Sequence, residues 1–443
     1  MAGVLFLAAP VAAVLAAGLS LGPGDRLLVV APHPDDETLG AGGLIQAARQ
    51  AHVPVQVVVV TNGDGSTPAA AKLTKALFVT AIDRIKLGHV RQAETLAAMA
   101  ALGVGREAVH FLGYPDKLLS LLWEDHWKTP YYSPALRSER DVYQNVHTPR
   151  APFAGASVCE DLSGLLRTFR PTVVVLPSAL DLHPDHRATA LFAQQALFDN
   201  PTLHPRVYAY LVHRGAWPSA GPYLTVPENT WAAHQEWLSF ALEPGWEARK
   251  AEAIKLYQSQ MAVSPTYLLG FAKRNELFAE VKTARLNGLE TTVASESEAR
   301  AGLRDVAVDH EQLLSVKNPG VWSIRARVEG GVLQVRLTAV APQLVPSQYT
   351  FLVRDGGCFS KVITDQPRAT IPVKGRAFFL SAQFSDARRH VLTLPWVACE
   401  AEPEEILAAV RDSGFQRPAQ SERNAPAARA GSSPLTLPSA STR

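Results

Sequence analysis

The sequence predicts an α/β protein: a Rossmann-like, mostly parallel sheet with helices on both faces, followed by a smaller all-β, sandwich-like domain. Three observations lead there. From Arg26 short apolar runs alternate with helical stretches, the texture of a parallel sheet covered on both faces. From about Gly302 the texture changes to alternating, β-branched and turn-rich runs. And 443 residues exceed one compact core, since roughly 150 residues per domain implies two or three domains.

At the N-terminus, Met1 to Leu21 carry no charged side chain, a run about long enough to cross a hydrocarbon core. Residues 1–22 therefore read as a signal peptide or membrane anchor. The run lacks leading basic residues and is rich in alanine and glycine, so a buried first helix is the alternative. The first reading implies a secreted or membrane-anchored protein, with membrane association through the N-terminus; the second implies a cytoplasmic one. The formal net charge of +2 gives no reason to expect a nucleic-acid partner, and a small polar substrate fits better.

The strand-like runs are RLLVVA, VQVVVVT, AVHFLGY, TVVVLPS and RVYAYLV, beginning near Arg26, Val55, Ala108, Thr172 and Arg206. Helices are expected around Gly42 to Gln50, Val90 to Leu102, Val158 to Phe169 and Pro184 to Ala196. The first unit spans 26–300. Within it, 113–150 breaks the pattern as an insertion carrying Trp123, His126, Trp127, Tyr131, Tyr132 and Tyr143. Long loops in compact domains tend to be functional, so these aromatics either line a sugar site or pack the loop. Helical pattern resumes across Trp231 to Leu242, Glu247 to Gln260 and Ala272 to Lys282. Strands of the second domain, 302–400, are expected at SIRARV, VLQVRLTAV, YTFLVR, ATIPVK and AFFLSAQF. That domain either binds carbohydrate or shields one face of the first, and the lack of an aromatic stripe favours shielding. A tail rich in Pro, Ala, Ser and Arg, 413–443, is expected to be disordered. Of the three cysteines, Cys358 and Cys399 share the later segment, either as one disulfide or as free thiols, and Cys159 stands apart.

In doubly wound sheets, ligands collect beyond the carboxyl ends of the strands. Directly after the first run stands Ala31-Pro32-His33-Pro34-Asp35-Asp36-Glu37, where two prolines bias their predecessors toward extended backbone and His33 and Asp36 can chelate one ion. After the fourth run stands Asp181-Leu182-His183-Pro184-Asp185-His186, opening a helix. His183 and His186, three apart on a first turn, bring both rings to one side, so that one can bind metal while the other faces substrate. Two histidines and one carboxylate leave a fourth zinc position for water, and the metal lowers that water's pKa toward ~7. Asp35 is the candidate base, His183 the candidate hydrogen-bond donor or acid at the oxyanion, and Asp185 the candidate to orient an imidazole. Acidic turns after strands often only cap the next helix, and Asp36 and Glu37 would suit that role; independent capping would not require histidines at both strand ends. His89, His110, His147 and His213 stand singly and read as packing residues.

HPDDE followed by a distant HPDH resembles the PIG-L/LmbE-like family of zinc-dependent de-N-acetylases, which act on N-acetylglucosaminyl-phosphatidylinositol and on precursors of mycothiol and bacillithiol. The resemblance implies His33, Asp36 and His186 as ligands to zinc, or to ferrous iron, with Asp35 as base and His183 at the transition state. It continues through Arg91-Gln-Ala-Glu94, Gly113-Tyr-Pro-Asp116, Lys250-Ala-Glu-Ala253 and Tyr257-Gln-Ser259-Gln260, covering about Arg26 to Lys282. It makes Arg91 and Asp116 candidates for substrate contact, although surface salt bridging would explain either. The implied reaction is release of acetate from an N-acetylated amino sugar in a glycan, glycolipid or glycoside. A metal-dependent phosphoesterase is the second enzyme class, but the motifs have only Arg91 and Arg187 nearby. A non-catalytic carbohydrate-binding envelope protein on a retired scaffold is the third reading, and the intact ligand set stands against it.

Overall fold

The structure is a computed structural model that describes residues 19–214, 217–218, 220–226, 236–295, 321–340, 346–386, 391–394 and 396–402. Residues 1–18 of the apolar N-terminal segment and the tail 413–443 lie outside the described residues.

The five apolar runs form strands that alternate with helices: β1 (Leu27–Ala31), α1 (Asp36–Gln50), β2 (Val55–Thr61), α2 (Thr67–Thr74), α3 (Ala81–Ala101), β3 (Val109–Tyr114), α4 (Leu119–Glu124), α5 (Gly155–Phe169), β4 (Val173–Pro177), α6 (Pro184–Phe198) and β5 (Arg206–Tyr210). β1 is buried on both faces, so it reads as an unbroken apolar run, as central parallel strands do. Its register places Leu27 beside Val55 on one side and Val173 on the other. The chain continues through β6 (Trp237–Ala241), α7 (Trp246–Lys255), α8 (Gln258–Met261), α9 (Pro265–Leu269) and β7 (Asn275–Glu280). The seven-stranded sheet has the order β3-β2-β1-β4-β5-β7-β6, with β1 to β5 parallel and β6 and β7 antiparallel at one edge. The order reverses between β1 and β4, whose carboxyl ends therefore flank the crevice in which such sheets bind ligands.

Two expected helices are strands. Ala272 to Lys282 contains β7, and the described part of Trp231 to Leu242 contains β6. The period of β7 is hidden because all but the last of its residues are buried, including the charged Glu276. That carboxylate accepts hydrogen bonds from Gly43 N (2.6 Å) and Leu44 N (2.9 Å) and from Lys250 Nζ (2.7 Å), joining β7, α1 and α7. A buried charge satisfied by tertiary partners leaves no apolar alternation to read.

The β region comprises β8 (Ala284–Leu286), β9 (Thr291–Ser295), β10 (Val321–Glu329), β11 (Val332–Val340), β12 (Pro346–Asp355), β13 (Cys358–Thr364), β14 (Arg368–Pro372), β15 (Ala377–Asp386), β16 (Val391–Thr393) and β17 (Val397–Ala401). A sheet β14-β11-β10-β9 faces a sheet β13-β12-β15-β17-β8, with β16 beside β15. Ile324, Val328, Leu333 and Val335 of the first meet Phe351, Phe378, Leu380 and Phe384 of the second in one core. Along β15 neighbouring side chains point to opposite faces. Phe378 thus enters this core, while Phe379 enters the core of the α/β unit.

Phe379 meets Trp123 at 5.1 Å and Phe198 at 5.5 Å, and the buried Arg354 guanidinium lies over the rings of Trp123 (5.1 Å), Trp127 (4.5 Å) and Phe359 (4.8 Å). Arg354 also donates to the carbonyls of Trp123 and Glu124. The tryptophans of the insertion thus pack between the two units. Cys358 is exposed and Cys399 buried, and the described cysteines are free thiols, which corrects the disulfide alternative. Among the described residues, no helix is long and apolar enough to cross a membrane.

Candidate metal centre

Every parallel strand delivers side chains to one crevice: His33, Asp35 and Asp36 after β1, Asn62 and Asp64 after β2, Asp116 after β3, Asp181 to His186 after β4, and His213 after β5. Convergence follows from topology, since parallel strands place all their carboxyl ends on one edge.

Asp36 stands at the centre. Its Oδ2 lies 3.0 Å from His33 Nδ1 and 3.1 Å from His186 Nε2, and it also accepts the His33 backbone N–H (3.1 Å). Other carboxylates lie beside the ring nitrogens that point away. His33 Nε2 is 3.3 Å from both Asp116 Oδ1 and Asp185 Oδ2, and His186 Nδ1 is 3.1 Å from Asp181 Oδ2. Carboxylates that hold the far nitrogen of an imidazole fix its orientation and raise its basicity as a ligand. Asp185 is itself fixed by Lys117 N (2.5 Å) and Leu119 N (3.1 Å). Asp181 accepts from Val212 N and His213 N, both at 3.0 Å.

The donor set fits a divalent cation. His186 is fully buried, yet neither ring nitrogen makes a well-directed hydrogen bond among the described residues. Nε2 and the Asp36 oxygen therefore lie near each other without pointing at each other, as two ligands of a common ion do. Burial alone would raise the Asp36 carboxyl, but His186 and His33 hold it well below the carboxylate range. Burial alone would lower the His186 imidazole, but Asp181 and Asp36 push it up to about 9. Both shifts express the attraction between these imidazoles and carboxylates in a buried cluster. Ligand atoms of His33, His183 and His186 also cluster within 4.8 Å, as do those of Asp36, His186 and His213, and those of His33, Asp116 and Asp185.

Asp35 sits beside this point with a backbone φ of 118°, a left-handed value that is costly for a residue with a Cβ. Four hydrogen bonds hold the turn there. Its N–H donates to Glu37 Oε2 (3.1 Å), Arg91 donates to its Oδ2 (3.2 Å), and Arg91 also donates to Pro34 O (2.5 Å) and Gly63 O (3.0 Å). Burial pushes the Asp35 carboxyl up to about 8 against the opposing charge of Arg91. Glu37 is fully buried, and its Oε1 accepts from Tyr257 (2.5 Å). It braces Asp35 rather than merely facing the start of α1. Arg91 is buried at 4 % exposure and Asp116 at 9 %, which excludes the surface salt-bridge explanation of either.

His183 begins α6 and its Nδ1 accepts the Asp185 backbone N–H (3.2 Å), so the neutral ring carries its proton on Nε2. Burial and the surrounding imidazoles push it down to about 2, leaving a neutral donor. Sequence reasoning missed two residues. Asp181 opens the second motif, and spacing alone does not show that it faces His186 Nδ1. His213 was read as packing, yet it lies 4.7 Å from the His186 ring and 5.2 Å from the His183 ring. Its position directly after the fifth run was the signal that pointed to the site.

Residues 28–197 match the family model described as PIG-L: GlcNAc-PI de-N-acetylase. The chain carries a PIG-L domain. A 1D-myo-inositol 2-acetamido-2-deoxy-alpha-D-glucopyranoside deacetylase of Mycobacterium sp. (strain KMS) is 35% identical over 188 residues, 40% of this chain and 53% of that protein. Another deacetylase of the same name, from Mycolicibacterium gilvum (strain PYR-GCK), is 28% identical over 295 residues, 63% of this chain and 96% of that protein. Against the first of these relatives the chain spans about half the relative's length. A solved A40926 pseudoaglycone deacetylase is similar to the chain with TM-score 0.40 and 20% identity, covering 58% of this chain and 96% of that one. The PIG-L match runs from the second residue of β1 into α6 and so takes in both motifs; β5 with His213 and the β region lie beyond it.

Proposed function

We propose that the protein is a metal-dependent hydrolase that releases acetate from an N-acetylated amino sugar, N-acetylglucosamine in a glycan, glycolipid or glycoside. The observation that carries this reading is Asp36 Oδ2 standing 3.0 Å from His33 Nδ1 and 3.1 Å from His186 Nε2, with Asp35 adjacent and bound to neither. The relatives' names supply the amide and the sugar.

His33, Asp36 and His186 would hold the ion, zinc or ferrous iron, which supplies Lewis acidity toward water and an amide carbonyl. Asp35 takes the proton of the attacking water, and its raised affinity for protons suits a base. His183 donates its Nε2 proton as a hydrogen bond to the carbonyl oxygen as negative charge develops there. Asp185, through His33, and Asp181, through His186, keep the rings turned toward the ion. Arg91 and Asp116 border the sugar's position, with Arg91 also fixing Asp35.

A phosphoester substrate would need free cations, but the guanidiniums near the motifs serve backbone carbonyls. Arg91 donates to Pro34 and Gly63, and Arg187 to Asp181 and Leu182. The charge-free Met1–Leu21 run supports export or anchoring in the envelope, and fusing it to an export reporter tests that.

The decisive pair of variants is Asp35→Asn and His186→Ala. The first should keep stoichiometric metal while acetate release from N-acetylglucosamine glycosides falls by about 10²-fold or more. The second should lose both. Full activity in the Asp35 variant would overturn the assignment.

A further inference from the structure

We infer that His213 is a fourth protein ligand of the metal centre, and that Tyr267 sets the tautomer it needs. The inference rests on the metal-dependent reading above. It concerns a residue that lies beyond the PIG-L match.

His213 follows β5, and its backbone is tied to the HPDH segment in both directions. Its N–H donates to Asp181 Oδ2 (3.0 Å) and its carbonyl accepts from Leu182 N (2.9 Å). Its ring is clamped between two partners, stacked on Tyr267 with a 12° interplanar angle and set edge-on to His186 at 4.7 Å. One ligand atom each of Asp36, His186 and His213 lies within 4.8 Å of the others. A residue that only filled space would need neither the clamp nor this convergence.

Proton accounting then identifies the free nitrogen. The Tyr267 hydroxyl has one proton, and it lies 2.9 Å from Val212 O and 3.1 Å from His213 Nδ1. A carbonyl can only accept, so the hydroxyl proton goes to Val212. The hydroxyl oxygen must therefore accept from His213, which puts the imidazole proton on Nδ1. The lone pair of the neutral ring is then on Nε2, the nitrogen that Tyr267 leaves free to serve the Asp36–His186 group. This is the arrangement in which a ligating histidine donates its other N–H to an oxygen that fixes ring and tautomer. With His33, Asp36 and His186, the protein donors rise from three to four, the ion would be held more tightly than by three alone, and five-coordination would keep a position for water.

The test uses the full-length protein stripped of metal and titrated with Co²⁺, whose visible absorption reports its ligand set, and with Zn²⁺ against a chromogenic chelator. For His213→Ala the affinity should fall about 10- to 100-fold and the cobalt spectrum should change. Tyr267→Phe, which keeps the stacked ring but removes the hydroxyl acceptor, should lower affinity by a smaller factor. His213→Gln preserves volume and gives the same reading if the alanine variant does not fold. Unchanged affinity and spectrum in a folded His213 variant overturn this inference while leaving the hydrolase reading intact. Failure of the wild-type protein to take up either ion overturns both.

Discussion

At the residue scale, burial raises some carboxyls of the centre, Asp35 and Asp64, while neighbouring imidazoles hold others, Asp36 and Asp116, below the usual range. Burial pushes Asp64 up to about 7, with Asp116 adding to the shift, and its partner is the Tyr143 hydroxyl at 2.7 Å. A folded-state pKa above the unfolded value of about 4 means that the native protein holds a proton the unfolded chain has lost. Stability from this group therefore falls as pH rises from about 4 to 7, and the penalty is complete above 7. Asp64→Asn should flatten that slope, which chemical denaturation at a series of pH values would show. An unaltered slope would place the proton elsewhere. The thiols differ by the same logic. Burial pushes Cys399 up to about 12 and raises Cys159, whereas Cys358 is exposed. Iodoacetamide should label Cys358 alone in the native protein and all three after unfolding, as mass spectrometry of digests would reveal.

Elements are joined by a few buried polar ties as well as by apolar contact. Lys250 and Glu276 are both fully buried and paired at 2.7 Å, and Lys250 also donates to Leu39 O (2.9 Å). This pair holds α7 and β7 against α1, the helix that opens with Asp36. Removing one partner strands a charge, so Glu276→Leu should cost about 3–5 kcal/mol in denaturant melts. The double change Lys250→Met with Glu276→Leu should cost less than the single one. A second tie joins the aromatic insertion to the site, for Tyr143 reaches Asp64 from the insertion and crosses Gly88 of α3 so closely that a Cβ there would meet its hydroxyl at 2.1 Å. The insertion's aromatics are thus structural where they are buried, while Tyr132 remains half exposed.

For the whole molecule, the β region is an integral wall of the α/β unit. Phe379 is fully buried in the α/β core beside Trp123, and Arg354 is fully buried over both tryptophans of the insertion. Phe379→Ala should destabilise the protein by about 3–5 kcal/mol and expose the junction to limited proteolysis. A variant with wild-type stability would show that the junction bears little of the fold's energy. The face so covered is that of α4 and α6, while the crevice holding Asp36 lies at the carboxyl edge of the sheet. The position of the β region fits shielding of that face.

The linear sequence carried the five parallel strands, because each is a short apolar run, buried along nearly its whole length in β1 to β4 and over its last three residues in β5, and the two chelating motifs, because each follows such a run. It also carried the switch to β texture, since one face of each sandwich strand alternates with the other. Other features became visible only in three dimensions. β7 escaped because its buried Glu276 is satisfied by Gly43 and Leu44, more than 200 residues away, and by Lys250 of another helix, so no local period marks it as a strand. Arg91 looked like a surface charge until folding enclosed it against Pro34, Asp35 and Gly63. His213 looked solitary because its partners, His186, Asp181 and Tyr267, lie on other segments. Periodicity reports how a residue meets its neighbours along the chain, whereas coordination and proton placement depend on atoms brought together by the packing of separate strands.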